Sequence, residues 1–74
     1  MSGRPVKHSV TLKGHRTSIS LEDAFWRELR SISTHKGIPI NALVAEIDVD
    51  RAPETGLASA IRVYVLNNLK KRLP

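Results

Sequence analysis

The sequence predicts a mainly α fold with a short β-ribbon near its N-terminal end. In residues 16–21 apolar side chains alternate with serines, which is the two-residue period of a half-buried strand. From residue 22 to residue 36 apolar residues recur every three or four positions, as they do along one face of a helix. Two further stretches with helical spacing follow, at residues 40–48 and 57–72.

The predicted strand needs a partner strand, because an unpaired strand leaves its backbone hydrogen-bonding groups exposed. Pairing with the same strand of a second chain is the simplest solution. Residues 8–12 also alternate, and a turn at Lys13 and Gly14 would place Leu12 opposite His15 in a hairpin. An extended segment with a bulge at Gly14 is the alternative.

The hairpin register separates an apolar face from a polar face. The apolar face carries Val10, Leu12, Ile19 and Leu21, and the polar face carries Ser9, Thr11, Arg16, Ser18 and Ser20.

The first helix is expected over about residues 22–36, with Ser20 and Asp23 at the spacing of a capping box and Gly37 as a left-handed C-cap. The second follows Pro39, which suits the start of a helix. The third, residues 57–72, is more apolar than one small subunit needs, which indicates a role in an oligomer interface.

Length and charge limit the class of protein. The 74 residues form one domain, predicted as residues 8–74 after a flexible basic arm at residues 1–7. With no cysteine available for a disulfide, a homodimer is the expected means of stabilisation.

The net charge is +5, and the first 21 residues contain no acid, which favours a polyanionic partner. With neither a membrane span nor a signal peptide in the sequence, we expect a cytoplasmic protein.

Catalysis is not expected, since no nucleophile, base and pocket combine in so small a core. The three histidines, His8, His15 and His35, are far apart and lack the spacing of metal ligands. We therefore predict no catalytic residue, no metal and no cofactor.

The polar face has the properties of a DNA-reading surface. A two-stranded ribbon fits the major groove, where Arg16 can bind guanine and the short Ser18 and Ser20 can reach bases or phosphates. The start of the second helix offers free backbone N–H groups to a phosphate. The expected phosphate contacts are Lys7, Lys13, Ile40 and Asn41.

The segments Gly14-His-Arg-Thr-Ser and Leu21-Glu-Asp-Ala-Phe-Trp, with Lys7-His-Ser-Val and Ser59-Ala-Ile-Arg-Val, resemble a group of short bacterial ribbon-helix-helix proteins. Strand, helix, glycine turn and helix is also the plan of the Arc- and MetJ-type repressors. The resemblance implies an intertwined homodimer whose intermolecular ribbon enters the major groove, with base reading by Arg16, Ser18 and Ser20 and a phosphate clamp around Asn41. The expected dimer core is Ile19, Leu21, Phe25, Leu29, Leu43 and Ile47.

The chain departs from that family's pattern at three places. Pro39 stands where a serine or threonine is usual, the reading face has two serines where longer side chains are common, and the third helix and Val10–Leu12 extend the minimal fold. The sequence thus predicts a homodimeric regulator that binds double-stranded DNA, and it leaves open whether dimers pair further on DNA. The alternative is an antitoxin-like or adaptor module that binds a protein partner through its C-terminal helix.

Overall fold

A computed structural model describes residues 3–73 as a two-stranded sheet followed by three helices. The elements are β1 (Pro5–Leu12), β2 (His15–Glu22), α1 (Asp23–Lys36), α2 (Ile40–Asp50) and α3 (Leu57–Arg72). The helices agree closely with the sequence prediction, and the bounds of α3 are identical to it. This confirms the predicted ribbon followed by two helices and an additional C-terminal helix.

β1 and β2 form an antiparallel hairpin within one chain, with Leu12 opposite His15. Lys13 and Gly14 have φ angles of 51° and 79°, the pair of positive values that a type I′ turn requires. The predicted hairpin register is therefore confirmed, and the alternative of a bulge at Gly14 is wrong. β2 therefore has a partner strand in its own chain, and pairing of β2 with a second chain remains a prediction.

The expected flexible arm at residues 1–7 needs correction, because β1 begins at Pro5. Val6 pairs with Leu21 and Lys7 pairs with Ser20, so the last three residues of that segment belong to the sheet. Residues 1 and 2 lie outside the described residues.

The hairpin lies over the helices with its apolar face inward, as the alternation predicts. The buried core draws on all five elements and consists of Val10, Ile19, Leu21, Leu29, Ile32, Leu43, Val44, Ile47, Ile61 and Val65. Leu12 is partly buried against this core. Helix α3 contributes Ile61 and Val65, which are 0% and 1% exposed, so one face of α3 is an integral part of the fold.

The ends of α1 were predicted with mixed success. Gly37 has a φ of 72° and ends the helix, with its N–H donating to the carbonyl of Thr34. The predicted capping box is wrong, because the N-cap is Glu22 and no side chain caps the helix. Ser20 lies in β2, on the face of the hairpin that points away from the helices.

Candidate nucleic-acid interface

The outward face of the hairpin brings six polar side chains together on one surface. Their cross-strand pairs are Lys7 with Ser20, Ser9 with Ser18, and Thr11 with Arg16, and all six residues are exposed. Ser9, Thr11, Ser18 and Ser20 have short side chains, and the longer side chains of Lys7 and Arg16 are flexible and charged.

The three predicted base-reading residues share this face on β2. Arg16, Ser18 and Ser20 are separated by one inward-facing residue each, so neighbouring side chains are about 6.8 Å apart along the strand. That distance is about twice the 3.4 Å step between nucleotides along one DNA strand. The spacing places successive side chains two base pairs apart along the groove, and their contact with DNA remains a prediction.

The positive charges of the hairpin are not neutralised within the described residues. The ion pairs found in residues 3–73 use His8, Lys36, Arg51, Arg62 and Arg72. Lys7, Lys13 and Arg16 take part in none of them and are exposed. The hairpin and its turn therefore present three cations for an external anion.

The one carboxylate at the end of the hairpin is neutralised from α3. Arg62 Nε donates to Glu22 Oε1 at 2.8 Å, and Nη2 donates to Oε2 at 3.1 Å, a bidentate pair. The Arg62 guanidinium also lies 5.9 Å from the centre of the Phe25 ring. These hydrogen bonds from Arg62 hold the pKa of Glu22 below its ordinary value of 4.5. The negative charge of Glu22 is thus masked beside a surface suited to anions.

The lowered pKa of Glu22 predicts acid-sensitive stability. A carboxyl whose pKa is depressed by folding stabilises the protein above its unfolded pKa, and the contribution disappears as pH falls through the folded pKa. We expect wild type to exceed Glu22→Gln in unfolding free energy at neutral pH, with the difference shrinking below about pH 4.5. Urea unfolding followed by Trp26 fluorescence between pH 7 and 3 measures this. Glu54→Gln, at an exposed residue outside these ion pairs, is the control, and an unchanging difference for Glu22→Gln would contradict the prediction.

The start of α2 lies against the outer edge of β1, where Asn41 Oδ1 accepts the backbone N–H of Thr11 at 3.1 Å. Pro39 is the N-cap, no side chain caps the helix, and its first turn contains no acid. The first N–H groups, those of Ile40 and Asn41, therefore keep the positive end of the helix open to an anion. Sequence reasoning missed the contact between Asn41 and Thr11, because no local sequence pattern predicts it.

A stack between His8 and Trp26 fixes β1 onto α1, and sequence reasoning also missed it. The two rings are 4.1 Å apart between centroids and inclined by 8°. His8 Nε2 lies 3.8 Å from Asp23 Oδ1 and has no hydrogen-bond partner among the described residues. His8 is thus a packing residue of the hairpin, while His15 and His35 are exposed.

Two of the open grooves that border the core lie beside β2 and α3. One, of about 560 Å³, follows the free edge of β2 from Thr17 to Ser20 and reaches Arg51. Arg51 is held by Asp48 Oδ1 at 2.7 Å and by the carbonyl of Thr55 at 2.6 Å. The other groove, of about 390 Å³, is apolar and is lined by Phe25, Arg62, Val63, Leu66 and Leu69.

Most of the residues predicted as a dimer core belong to the core of a single chain. Ile19, Leu21, Leu29, Leu43 and Ile47 are buried within a single chain. Phe25 is only partly buried and lines the apolar groove on α3. A role for these residues between chains remains a prediction.

The described residues contain no group of three or more His, Cys, Asp or Glu side chains that could hold a metal ion. In the same part of the chain, none of the helices is long and apolar enough to cross a membrane.

A β-hairpin with a cationic, hydroxyl-rich outer face above a helical core defines a small domain suited to nucleic acid. A family model for the ribbon-helix-helix domain matches residues 5–69, and the chain belongs to this family. Ribbon-helix-helix domains generally bind DNA in transcription regulators. No curated protein and no solved structure gives a significant match to the chain.

Proposed function

We propose that this protein is a transcriptional regulator that binds double-stranded DNA with the polar face of its β-sheet in the major groove. The observation that carries the proposal is the outward face of the hairpin, which combines exposed Arg16, Ser18 and Ser20 with unpaired cations and no free carboxylate. Such a regulator acts where the DNA is, which in a bacterium is the cytoplasm. The family match does not favour the rival hypothesis of an antitoxin-like or adaptor module.

The roles of individual residues follow from their positions. Arg16 can donate two parallel hydrogen bonds to the O6 and N7 atoms of guanine, and Ser18 and Ser20 can reach neighbouring base edges. Lys7 and Lys13, at the start of β1 and in the turn, lie at the two ends of the hairpin, where phosphates flank the groove. The open N-terminus of α2, with Ile40 and Asn41, can bind a further phosphate.

The proposal predicts salt-dependent binding to duplex DNA. Each cation that neutralises a phosphate contributes about −0.9 to the slope of log K against log salt. Lys7 and Lys13, the two cations assigned to phosphates, together give a slope of about −1.8 per chain. Fluorescence anisotropy with a labelled duplex between 50 and 300 mM salt measures the slope. Lys13→Ala should reduce its size by about 0.9, and Lys71→Ala, in the last turn of α3, is the comparison variant. Wild type without any salt-dependent affinity for duplex DNA would refute the proposal.

We also propose that the protein acts as a homodimer, which the family match suggests. The chain has a small core, and its α3 exposes a continuous apolar strip next to Phe25. Val63, Leu66 and Leu69 in this strip are 55%, 54% and 39% exposed. A second copy of the chain that covers this strip would bury the apolar groove on both subunits. Pairing of two β2 strands along their free edges, as in an intermolecular ribbon, is the other arrangement.

Sedimentation of two variants distinguishes the two dimers. Leu66→Glu should convert the wild-type dimer to monomer if α3 forms the interface, because a charge would be buried there without a partner. In an antiparallel hairpin, Ser18→Pro removes an N–H from the free edge of β2 but not from the ladder with β1. Ser18→Ala is its matched control. A dimer that survives Leu66→Glu and dissociates only with Ser18→Pro would assign the interface to β2 and contradict the α3 arrangement.

A further inference from the structure

The polar face of the sheet belongs to two strands of the same chain, and only one of them contains the residues assigned above to base reading. On β1, Ser9 lies opposite Ser18 and Thr11 lies opposite Arg16. Both β1 residues are exposed on the same face. Directly opposed residues of antiparallel strands have Cα atoms about 4.5–5.5 Å apart. Each of these two β2 side chains therefore has a hydroxyl of β1 at its side.

The backbone of β1 is fixed to the domain. The N–H of Thr11 donates to Asn41 Oδ1 at 3.1 Å, so it points away from β2. Thr11 and Arg16 consequently form a pair without mutual hydrogen bonds, the closer of the two kinds of antiparallel pair. The stack of His8 on Trp26 packs the inward side of the same strand against α1. The strand that carries the Ser9 and Thr11 hydroxyls is thus held in place before any ligand binds.

The width of the sheet decides how much of it can enter DNA. Two strands are about 4.8 Å apart and fit a major groove about 12 Å wide. Pairing of two β2 strands would join two hairpins into a sheet of four strands, with about 14 Å between its outer backbones before side chains are counted. A sheet of that width does not fit into the groove. The hairpin of a single chain has the width of a complete reading element.

We infer that the hairpin of one chain enters the major groove as a unit, and that Ser9 and Thr11 contact bases together with Arg16 and Ser18. The inference rests on the proposed function and deepens it, because it adds specificity-determining residues on β1. Each chain then reads a half-site by itself, and a dimer reads two half-sites.

The test compares two threonines of the hairpin that are both exposed but face opposite ways. Thr11 lies on the polar face, and Thr17 lies opposite Val10 on the other face. Thr11→Val and Thr17→Val each replace a hydroxyl with a methyl group and keep the branched side chain that strands favour. Wild type and both variants are used to select duplexes from a random-sequence pool, and circular dichroism checks the fold. Ser9→Ala provides a second variant on the polar face.

Thr11→Val is expected to weaken the preference for one base at one position of the selected sequence by about twofold to tenfold in relative affinity, the range for one hydrogen bond. Thr17→Val is expected to select the wild-type sequence. If Thr11→Val and Ser9→Ala both select the wild-type sequence while Arg16→Ala does not, the inference is overturned and a ribbon of two β2 strands is favoured. If wild type selects no sequence and shows no salt-dependent affinity, the proposed function itself fails.

Discussion

Ile61→Ala is expected to lower the free energy of unfolding by about 2–5 kcal/mol, the largest effect on stability that we predict. Ile61 is 0% exposed and lies on α3, where it packs into the core shared by the hairpin and the other helices. Removing three carbon atoms there leaves a cavity that a small core cannot easily close. A domain of this length has about 4–11 kcal/mol of stability in total. The variant is thus expected to lose a large share of its free energy of unfolding.

The measurement is urea unfolding of wild type and variant at one protein concentration, since the stability of a dimer depends on concentration. Val49→Ala is the matched control, because Val49 is an apolar helix residue that is 74% exposed. The free energy of unfolding of Val49→Ala is expected to stay within about 0.5 kcal/mol of the wild-type value. A loss below about 1 kcal/mol for Ile61→Ala would mean that α3 is an appendage of the domain. It would also revive the hypothesis that α3 serves mainly to bind a protein partner.

The helices and the hairpin were predictable because their signals are local. A helix repeats its apolar residues within one turn, and Gly37 marks the end of α1 by adopting a backbone angle that other residues avoid. The two faces of the hairpin follow from alternation once the turn is placed at Lys13 and Gly14. The error at the start of α1 has a physical cause, because Ser20 was needed in a strand and could not also cap a helix.

The contacts that position the candidate interface join residues far apart in the chain. Arg62 and Glu22 are separated by 40 positions, and Asn41 and Thr11 by 30. No periodic pattern encodes such a pair, since each depends on how the helices pack beneath the hairpin. The same is true of the choice of partner for β2. A polar face was predictable from sequence, whereas the neutralisation of Glu22 and the anchoring of β1 required the fold.

Arg16→Ala is expected to lower the preference for the selected DNA sequence over random DNA by about fivefold to 150-fold, the range for one bidentate contact with guanine. Arg16 is the one arginine on the polar face of the hairpin, it is exposed, and it takes part in no ion pair of residues 3–73. Arg16→Lys separates the charge of this side chain from its ability to make two parallel hydrogen bonds. Lysine keeps the charge but lacks the planar fork that makes two parallel hydrogen bonds.

Arg16→Lys should therefore lose most of the sequence preference, as Arg16→Ala does, while both variants keep a salt slope near the wild-type value because Lys7 and Lys13 make the phosphate contacts. Titration of the selected duplex and of a scrambled duplex at several salt concentrations measures both quantities. Arg30→Ala, at an exposed arginine of α1, controls for a general loss of positive charge. If Arg16→Lys retains the full preference, Arg16 contacts only phosphate. Base reading would then depend on the hydroxyl groups of the hairpin, because they are the remaining hydrogen-bonding side chains near the centre of its polar face.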